Sequence, residues 1–438
     1  MLSLSSHGQL LKIRTIAGTG VQGYSNDGFV ATTADLHGPI TIAVDPISGN
    51  PTFVDFFNNR VRRINITNDI ISTIAGSGLG GNNGDSSVAT AADMDPHAVA
   101  FDKHGNMYIA DAVYAVIRKV NTAGIIVTIA GKSGIHSHTG DNGPAVNATF
   151  SSPCGLAVDS SGNIYIADAS NNVVRMIDAT GVITTVAGND TAGFSGDLGP
   201  ATDARLDSPY AVATDLSGNL YITDYRNDVI RKVDGAGIIS SYAGMNASYG
   251  YSGDNGAANL AMLNKPAGIA TDTAGNLFIA DANNNVIRKV DKSGVISTVA
   301  GNGSAGFGGD LGNALGANMR TPFAVATDKA GNLYICDANN QRIRAVYRDV
   351  TAVNSVFTGN GVNVYPNPSA AQITLNGLTK ADRVSVYDLM GRETGNNWTV
   401  NADGAQTFNV QSLAAGVYVV RVFDAAGNTK AITQLVKE

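Results

Sequence analysis

The sequence predicts an all-β protein: a six-bladed β-propeller followed by a small, immunoglobulin-like β-sandwich. Three observations support this prediction. A unit of about 56 residues recurs six times along the first three quarters of the chain. Each unit contains short apolar stretches separated by turn residues, and Glu, which favours helices, is absent before position 393. After residue 347 the repeat ends and a different set of alternating strands begins.

Each repeat carries the same landmarks in the same order. An Ala-Gly pair ends an apolar stretch, a Pro follows about 20 residues later, and an Asp then precedes an Arg by seven positions. The glycines are Gly18, Gly76, Gly131, Gly188, Gly244 and Gly301. The prolines are Pro39, Pro96, Pro153, Pro209, Pro266 and Pro322. The Asp/Arg pairs are Asp55/Arg62, Asp111/Arg118, Asp168/Arg175, Asp224/Arg231, Asp281/Arg288 and Asp337/Arg344. Because a catalytic pair is needed only once, this repetition indicates a structural role.

The fifth unit illustrates the predicted blade. Strands are expected at 268–272, 277–281, 286–291 and 295–300, with Gly- and Asn-containing turns between them. Four antiparallel strands repeated six times predict blades arranged around an axis, because one such sheet cannot bury both of its faces alone. The sixth unit ends after its third strand, and residues 8–17 have the pattern of the missing fourth strand. We therefore expect the N-terminal strand to close the last blade of a propeller spanning residues 1–347.

Units such as PAGIATDTAGNLFIADANNNVIRKVD resemble NHL repeats, which form six-bladed propellers. The connecting stretch AGFSGDLGPATDARLDSP is similar to the long inter-blade loop of secreted bacterial and teneurin-like NHL domains. The resemblance covers roughly residues 8–347. It implies the fold, whereas propellers host many activities, so it implies no particular function.

Residues 348–361 have the composition of a linker, and residues 362–438 alternate as in a small sandwich. Three motifs there resemble the type A C-terminal sorting domain of the type IX secretion system of Bacteroidetes. They are Tyr365-Pro366-Asn367-Pro368, the YDLMGR segment with Gly391 and Arg392, and the LAAGVYVV segment with Gly416 and Tyr418. The resemblance implies recognition by the type IX machinery and a secreted or outer-cell-surface protein. That route uses an N-terminal signal peptide, and the first residues here do not have the pattern of one.

Charge and hydropathy exclude two classes of partner. The net charge of −7 lies entirely in the first 349 residues, which argues against a nucleic acid because phosphate binding depends on basic side chains. No run of 18 apolar residues is present, so no membrane span is expected.

The expected ligand site is the mouth of the propeller, where the repeats differ from one another. The residue after each repeat Pro should surround the central channel, and the loop after each second strand should lie on the same face. The expected binding residues are His97, Tyr210, Phe323, Tyr114, Tyr225, Arg226 and Phe57. An aromatic mouth with a few polar groups predicts a protein, peptide or glycan ligand, and packing that merely plugs the channel is the alternative.

A metal-dependent lyase or hydrolase is the alternative function, and a purely structural spacer is a third. His37, His97, His136 and His138 lie on predicted loops of the first three blades, and three His ligands with a water would form a catalytic zinc site. Gly-Asp pairs in the long loops raise calcium as a second candidate ion, although each loop has few carboxylates and no Glu. A binding protein without catalysis is the preferred interpretation, with no cofactor required.

Two further motifs have structural interpretations. Three G-x-G-x-x-G segments, such as 18–23, lack the βαβ unit that a dinucleotide site needs, so their glycines are assigned to turns. Cys154 and Cys336 belong to opposite blades and are expected to be free thiols.

Overall fold

A computed structural model describes residues 11–25, 27–348, 364–365, 369, 371–388, 391–414 and 416–437. The chain divides into two compact units, one of which is residues 13–346. Of the predicted linker at 348–361, Arg348 belongs to a strand and residues 349–361 lie outside the described residues. Residues 8–10 of the predicted N-terminal strand and the motif residues Pro366, Asn367 and Pro368 lie outside them as well. Among the described residues, no helix has the length and apolar character needed to cross a bilayer.

The described strands of residues 11–348 form six antiparallel sheets, which are the six blades of a propeller. β1 is Leu11–Ala17, and the first blade contains β2 (Pro39–Val44), β3 (Pro51–Asp55), β4 (Arg60–Asn65) and β5 (Ile70–Ala75). The second contains β6 (Ser87–Val88), β7 (Pro96–Phe101), β8 (Met107–Asp111), β9 (Val116–Val120) and β10 (Ile125–Ala130). The third contains β11 (Gly143–Pro144), β12 (Pro153–Val158), β13 (Ile164–Asp168), β14 (Val173–Ile177) and β15 (Val182–Ala187).

The remaining blades repeat this arrangement. The fourth contains β16 (Pro209–Thr214), β17 (Leu220–Asp224), β18 (Val229–Val233) and β19 (Ile239–Ala243). The fifth contains β20 (Pro266–Thr271), β21 (Leu277–Asp281), β22 (Val286–Val290) and β23 (Ile296–Ala300). The sixth contains β24 (Pro322–Thr327), β25 (Leu333–Asp337) and β26 (Arg342–Arg348), and β1 is its fourth strand, next to β26. The first and last strands of the propeller are thus hydrogen-bonded in one sheet. The ring therefore closes without an open edge at the point where these two strands meet.

Short 3-10 turns occur at two positions of the repeat. One set lies in the long inter-blade loops, at Ala31–Thr33, Ala89–Ala91, Ala145–Asn147, Ala201–Asp203, Ala258–Leu260 and Ala314–Gly316. The other follows the second strand, at Phe56–Asn58, Ala169–Asn171, Tyr225–Asn227, Ala282–Asn284 and Ala338–Asn340. The first residue of each loop turn is a buried Ala, so the loops pack against the blades through a small apolar side chain.

The repeated Arg is the largest buried polar side chain of each blade, and all six have no exposed surface. In the fourth blade, Arg231 donates from Nη2 to the Ser195 carbonyl at 3.1 Å and to Asp197 Oδ1 at 2.6 Å, both in the preceding loop. Its Nη1 lies 3.5 Å from the buried carboxylate of Asp224. In four blades the Arg therefore connects the third strand both to the inter-blade loop and to the Asp at the end of the second strand, whereas Arg118 and Arg175 form their ion pairs with the loop Asp. Such pairing is how a charged group becomes tolerable in the core.

The Asp at the end of each second strand anchors the loop that enters the blade. Asp224 Oδ1 accepts the Asp207 backbone N–H at 2.7 Å, and Asp281 accepts that of Asn264 at 2.8 Å. Burial raises the pKa of Asp224 to about 6, although its hydrogen bonds and Arg231 oppose that change. The structural role that the sequence predicted for these Asp/Arg pairs is consistent with these contacts. However, the guanidinium of Arg231 lies closer to the loop residue Asp197, at 2.6 Å, than to Asp224, at 3.5 Å.

The C-terminal unit is a β-sandwich of two sheets. One contains β27 (Val364–Tyr365), β28 (Gln372–Leu378) and β31 (Gly404–Asn409). The other contains β29 (Arg383–Asp388), β30 (Glu393–Thr399), β32 (Gly416–Phe423) and β33 (Thr429–Lys437). Apolar side chains at alternate positions of the strands, such as Val384 and Val386, form a core that includes Leu375 and Val420.

Replacing Arg231 by Met should destabilise the propeller by about 3 kcal/mol, because Asp224 and the loop carbonyls would stay buried without their donor. Chemical denaturation monitored by circular dichroism measures the effect. Arg226→Met is the matched control, because the Arg226 side chain is 67% exposed and should change the free energy of unfolding by less than about 0.5 kcal/mol. Equal effects of the two substitutions would contradict the assigned role.

Candidate functional site

The residues after the six repeat prolines stand near the start of the inner strands β2, β7, β12, β16, β20 and β24, which pack against one another around the axis. These residues are Ile40, His97, Cys154, Tyr210, Ala267 and Phe323. Their differing sizes determine how the mouth of the channel is filled. Cys154 and Ala267, on the blades either side of Tyr210, are small and buried.

Tyr210 crosses the mouth and contacts two other blades. Its hydroxyl lies 2.9 Å from His97 Nε2, which belongs to the second blade, and its ring meets Phe323 of the sixth blade edge to face at 5.3 Å. His97 Nδ1 lies 3.2 Å from the Cys154 carbonyl of the third blade. Side chains from three blades and a backbone carbonyl from a fourth therefore meet at this end of the channel and close it.

The hydrogen bonds define the tautomer of His97. A carbonyl oxygen only accepts, so Nδ1 carries the proton, Nε2 accepts, and the Tyr210 hydroxyl donates to it. Burial lowers the pKa of His97 to about 4, which keeps the ring neutral at pH 7. Burial also raises the pKa of Tyr210 well above its ordinary value, so its hydroxyl keeps its proton.

Aromatic rings continue outward from this closure. Phe56 meets His97 with ring centres 5.6 Å apart, Phe57 lies 4.8 Å from Phe56, and His37 lies 4.6 Å from Phe57. Phe57 is 63% exposed, although a buried position is usual for such a residue. The mouth therefore presents a continuous aromatic surface that reaches solvent at the first blade.

On the opposite side of the mouth, Tyr225 is partly exposed and lies 5.5 Å from Tyr210, ring centre to ring centre. Lys265 holds its ammonium 5.6 Å from the Tyr225 ring and 3.4 Å from Asp228. Arg226 is an exposed neighbour that pairs weakly with Asp207 at 3.7 Å. The rim of the aromatic surface is thus polar here, and it carries both signs of charge.

The predicted mouth residues have different environments. The structure brings His97, Tyr210, Phe323 and Tyr225 into one connected cluster, with Phe57 joined to it through Phe56. Tyr114 is partly exposed on the loop that follows β8, and the contacts above do not include it. Sequence reasoning missed Lys265, whose position directly before a repeat Pro was the available signal.

The four His residues predicted as metal ligands do not converge. His136 Nδ1 bonds to the Ser151 carbonyl at 2.9 Å. His138 bonds to Asp190 and, through Nε2, to Thr185 at 3.0 Å. Across the described part of the chain, no group of three or more His, Cys, Asp or Glu side chains is placed to hold a metal ion. The zinc hypothesis is therefore left without a ligand set, and it stays an untested prediction.

His138 occupies a repeated structural position. It stands three residues before the loop Asp, as Phe194 and Tyr251 do in later loops. Tyr251 bonds to Thr298 in the same way that His138 bonds to Thr185, and Phe194 lies 4.7 Å from the Arg231 guanidinium. His138 thus occupies the loop position at which Phe194 and Tyr251 contact the blade arginines.

The loop Asp residues considered as calcium ligands face guanidinium groups. Asp85 accepts from Arg118 at 2.7 Å, and Asp310 accepts from Arg344 at 2.6 Å. Hydrogen bonds to Thr128 and Arg118 lower the pKa of Asp85 against the effect of its partial burial. A carboxylate that already neutralises a cation is a poor candidate for calcium, which needs several free oxygens.

In the sandwich, the described sorting-motif residues form turns and part of the core. Gly391 has a φ of 76°, and its N–H donates to the Asp388 carbonyl at 2.9 Å. Arg392 Nε donates to the Asp388 carboxylate at 2.7 Å. Tyr418 packs against the core and donates to the Ala414 carbonyl at 3.0 Å. These residues therefore stabilise the β29–β30 hairpin and the strand β32.

Comparison with known proteins agrees with both parts. Residues 363–438 match the secretion system C-terminal sorting domain, and residues 133–195 and 247–306 match the teneurin NHL domain. The chain is an NHL-repeat propeller followed by a type IX secretion sorting domain. Mouse teneurin-1 is 30% identical over 320 residues, a match that covers 66% of this chain and 11% of that protein. The chain therefore spans about a tenth of the length of the teneurins it matches.

Other matches come from plants and bacteria. SUPPRESSOR OF QUENCHING 1 of Arabidopsis thaliana is 27% identical over 293 residues, with 63% of this chain and 27% of that protein covered. A crystal structure of a protein of unknown function from Bacteroides thetaiotaomicron has a TM-score of 0.58 at 20% identity, covering 77% and 76% of the two chains. An auxiliary nutrient binding protein from the same species has a TM-score of 0.56 at 16% identity, with the same coverage. At these identities the structures show the shared propeller fold alone.

The sorting domain indicates export to the cell surface or the medium. The NHL-repeat propeller and the sorting domain that the sequence predicted are both confirmed.

The closed mouth should make stability depend on the charge of His97. Its pKa of about 4 lies below the value of about 6.5 in an unfolded chain. Its neutral state therefore stabilises the fold fully above pH 6.5, and about 3 kcal/mol is lost as the pH falls toward 4. The measurement is the free energy of unfolding from pH 7.5 to 4.5 for the wild type and His97→Gln. Their difference should change with pH, and parallel curves would contradict this origin.

Proposed function

We propose that the protein is an exported binding module whose propeller mouth recognises a protein, peptide or glycan. The observation that carries the proposal is the continuous aromatic surface from the exposed Phe57 to Tyr225, built on a closed channel. Exposed aromatic groups with polar neighbours are typical of recognition surfaces.

The closure of the channel affects the kind of ligand. A small molecule needs a concave pocket, whereas here the side chains of His97, Tyr210 and Phe323 pack against one another across the mouth. A larger ligand laid across the face suits this geometry better, because flat aromatic rings give a large contact area at low entropic cost. Tyr114, Tyr225, Arg226 and Phe57 are the proposed contacts, and the name of one structural neighbour, a nutrient binding protein, agrees with a binding role.

The C-terminal sandwich is the proposed export signal. We propose that the type IX machinery of a Bacteroidetes cell recognises it and delivers the propeller either to the outer surface or to the medium. The residues we assign to this recognition are Tyr365, Pro366, Asn367, Pro368, Gly391, Arg392, Gly416 and Tyr418.

Substitution of the mouth aromatics should weaken ligand binding without unfolding the chain. The full chain is applied to glycan and peptide arrays, and any hit is measured with Tyr225→Ala and Phe57→Ala. Each substitution should weaken binding by about tenfold or more, as at interface hot spots. Leu216→Ala is the control, because Leu216 is equally apolar and 78% exposed but lies in the turn after β16, at the other end of the fourth blade. Equal losses in all three variants, or binding unaffected by the mouth substitutions, would contradict the proposal.

Removal of residues 363–438 should prevent export. The chain is expressed behind a signal peptide in a Bacteroidetes host, and its amount on the cell surface and in the medium is compared with that of the truncated chain. The truncated propeller should accumulate in the periplasm, while the full chain carrying Tyr225→Ala should be exported normally. Export of the truncated chain at the level of the full one would contradict the role of the sandwich.

A further inference from the structure

The channel of the propeller is narrow beneath its closed mouth. Below Tyr210 and Phe323 it contains a cavity of about 50 Å³ bordered by Cys154, Gly155 and Gly268. A Cβ on Gly155 would stand 2.5 Å from the Tyr210 carbonyl oxygen, so the inner strands approach each other closely here. Nothing larger than a water molecule or two fits between this level and the mouth.

The opposite end of the channel is wider and open. A cavity of about 280 Å³ lies where the inner strands end, and residues from five blades line it. This volume is close to the lower end of the range for small-molecule sites, roughly 300–1,000 Å³. Because the mouth is closed, a ligand in the channel has to enter from this end. This open end of the channel therefore forms a cup. The aromatic side chains of the mouth close the opposite end of the channel.

The wall of the cup is apolar on one side and hydroxylated on the other. Val44 and Phe101 line one side from the first two blades, and the partly exposed Phe101 also packs against the core that those blades share. Thr271 and Thr327 contribute hydroxyl groups from the fifth and sixth. The Thr327 hydroxyl donates to the Thr271 carbonyl at 3.0 Å, and the Thr271 hydroxyl donates to the Thr214 carbonyl at 2.8 Å. With their protons used in this way, both oxygens are held as acceptors for the hydrogens of a ligand.

The charges at the rim balance each other. Asp102 accepts hydrogen bonds from the His104 and Asn106 backbone and from the Asn106 and Tyr108 side chains, and hydrogen bonds of this kind lower its pKa against partial burial. Lys103 is exposed next to it and donates to the Ser160 carbonyl at 3.1 Å. Asp102 and Lys103 are the charged residues of the lining, one of each sign, so the lining itself gives no net preference for an ionic ligand. The Lys329 ammonium, outside the lining, donates to the Pro46 carbonyl at 3.3 Å.

We infer that this cup is a second binding site, and that it takes a neutral, hydroxyl-rich ligand of the size of a single sugar ring. The carbon face of the ring lies against Phe101 and Val44, and its hydroxyl groups donate to Thr271 and Thr327. This arrangement satisfies both sides of the wall at once, since an apolar ligand would leave the Thr acceptors unpaired and an ion would lose its hydration without a counter-charge. The site uses the face opposite the proposed mouth surface and does not depend on it.

The test is saturation-transfer NMR on the full chain with D-glucose, D-galactose and N-acetyl-D-glucosamine as separate probes. We expect at least one to bind. Phe101→Ala should weaken that binding by about tenfold, because it removes the aromatic face. Thr271→Val, which removes one of the two hydroxyl acceptors, should weaken it by a smaller factor. Tyr225→Ala, on the other face, should leave it unchanged.

Absence of saturation transfer from all three sugars would overturn the inference, as would binding that neither Phe101→Ala nor Thr271→Val weakens. Thermal unfolding of each variant shows whether it is folded, and if Phe101→Ala is not, Thr271→Val tests the hydroxylated wall in its place. Sugar binding that persists when the arrays detect no ligand at the mouth would support the cup and count against the mouth proposal. Array binding that Tyr225→Ala weakens, without saturation transfer from any of the three sugars, would support the mouth proposal and overturn the cup.

Discussion

Each blade depends on one fully buried arginine. The guanidinium of Arg231 spans three parts of the repeat at once: a loop carbonyl, a loop carboxylate and the carboxylate at the end of the second strand. Only arginine has enough donors in a fixed plane to do this. Rings such as Phe194 then cover the guanidinium from the loop side. Long loops rich in glycine are thereby held against the blades, although their composition by itself would favour mobility.

The same dependence explains where function can reside. Residues that bond to the arginines or anchor the loops are required in every blade, so they cannot vary without loss of stability. The residues next to the axis do not bond to the arginines or anchor the loops, and their side chains differ from blade to blade. Small residues at Cys154 and Ala267 leave space for Tyr210 to reach His97, and this closes one mouth while the opposite end of the channel stays open.

Much of the architecture could be predicted because its signals are local and repeated. Alternation of apolar residues, turn glycines and the position of the repeat Pro each report on a few neighbouring residues, and six copies remove ambiguity. The role of the loop Asp could not be predicted from the sequence in the same way. Asp197 and Arg231 are 34 positions apart, and only the packing of the loop onto the blade brings them within 2.6 Å. The local pattern, with few carboxylates and no Glu, argued against calcium but did not reveal the arginine as the partner of that Asp.

The sequence by itself determined the six blades, the all-β class, the second domain and its address, since these follow from periodicity and short motifs. Only the tertiary structure decided which end of the channel is open. That outcome depends on the relative sizes of side chains from different blades and on one hydrogen bond between Tyr210 and His97, which are 113 residues apart. It also showed that, within the described residues, the four histidines do not form a set of three or more metal ligands, which their spacing along the chain could not decide.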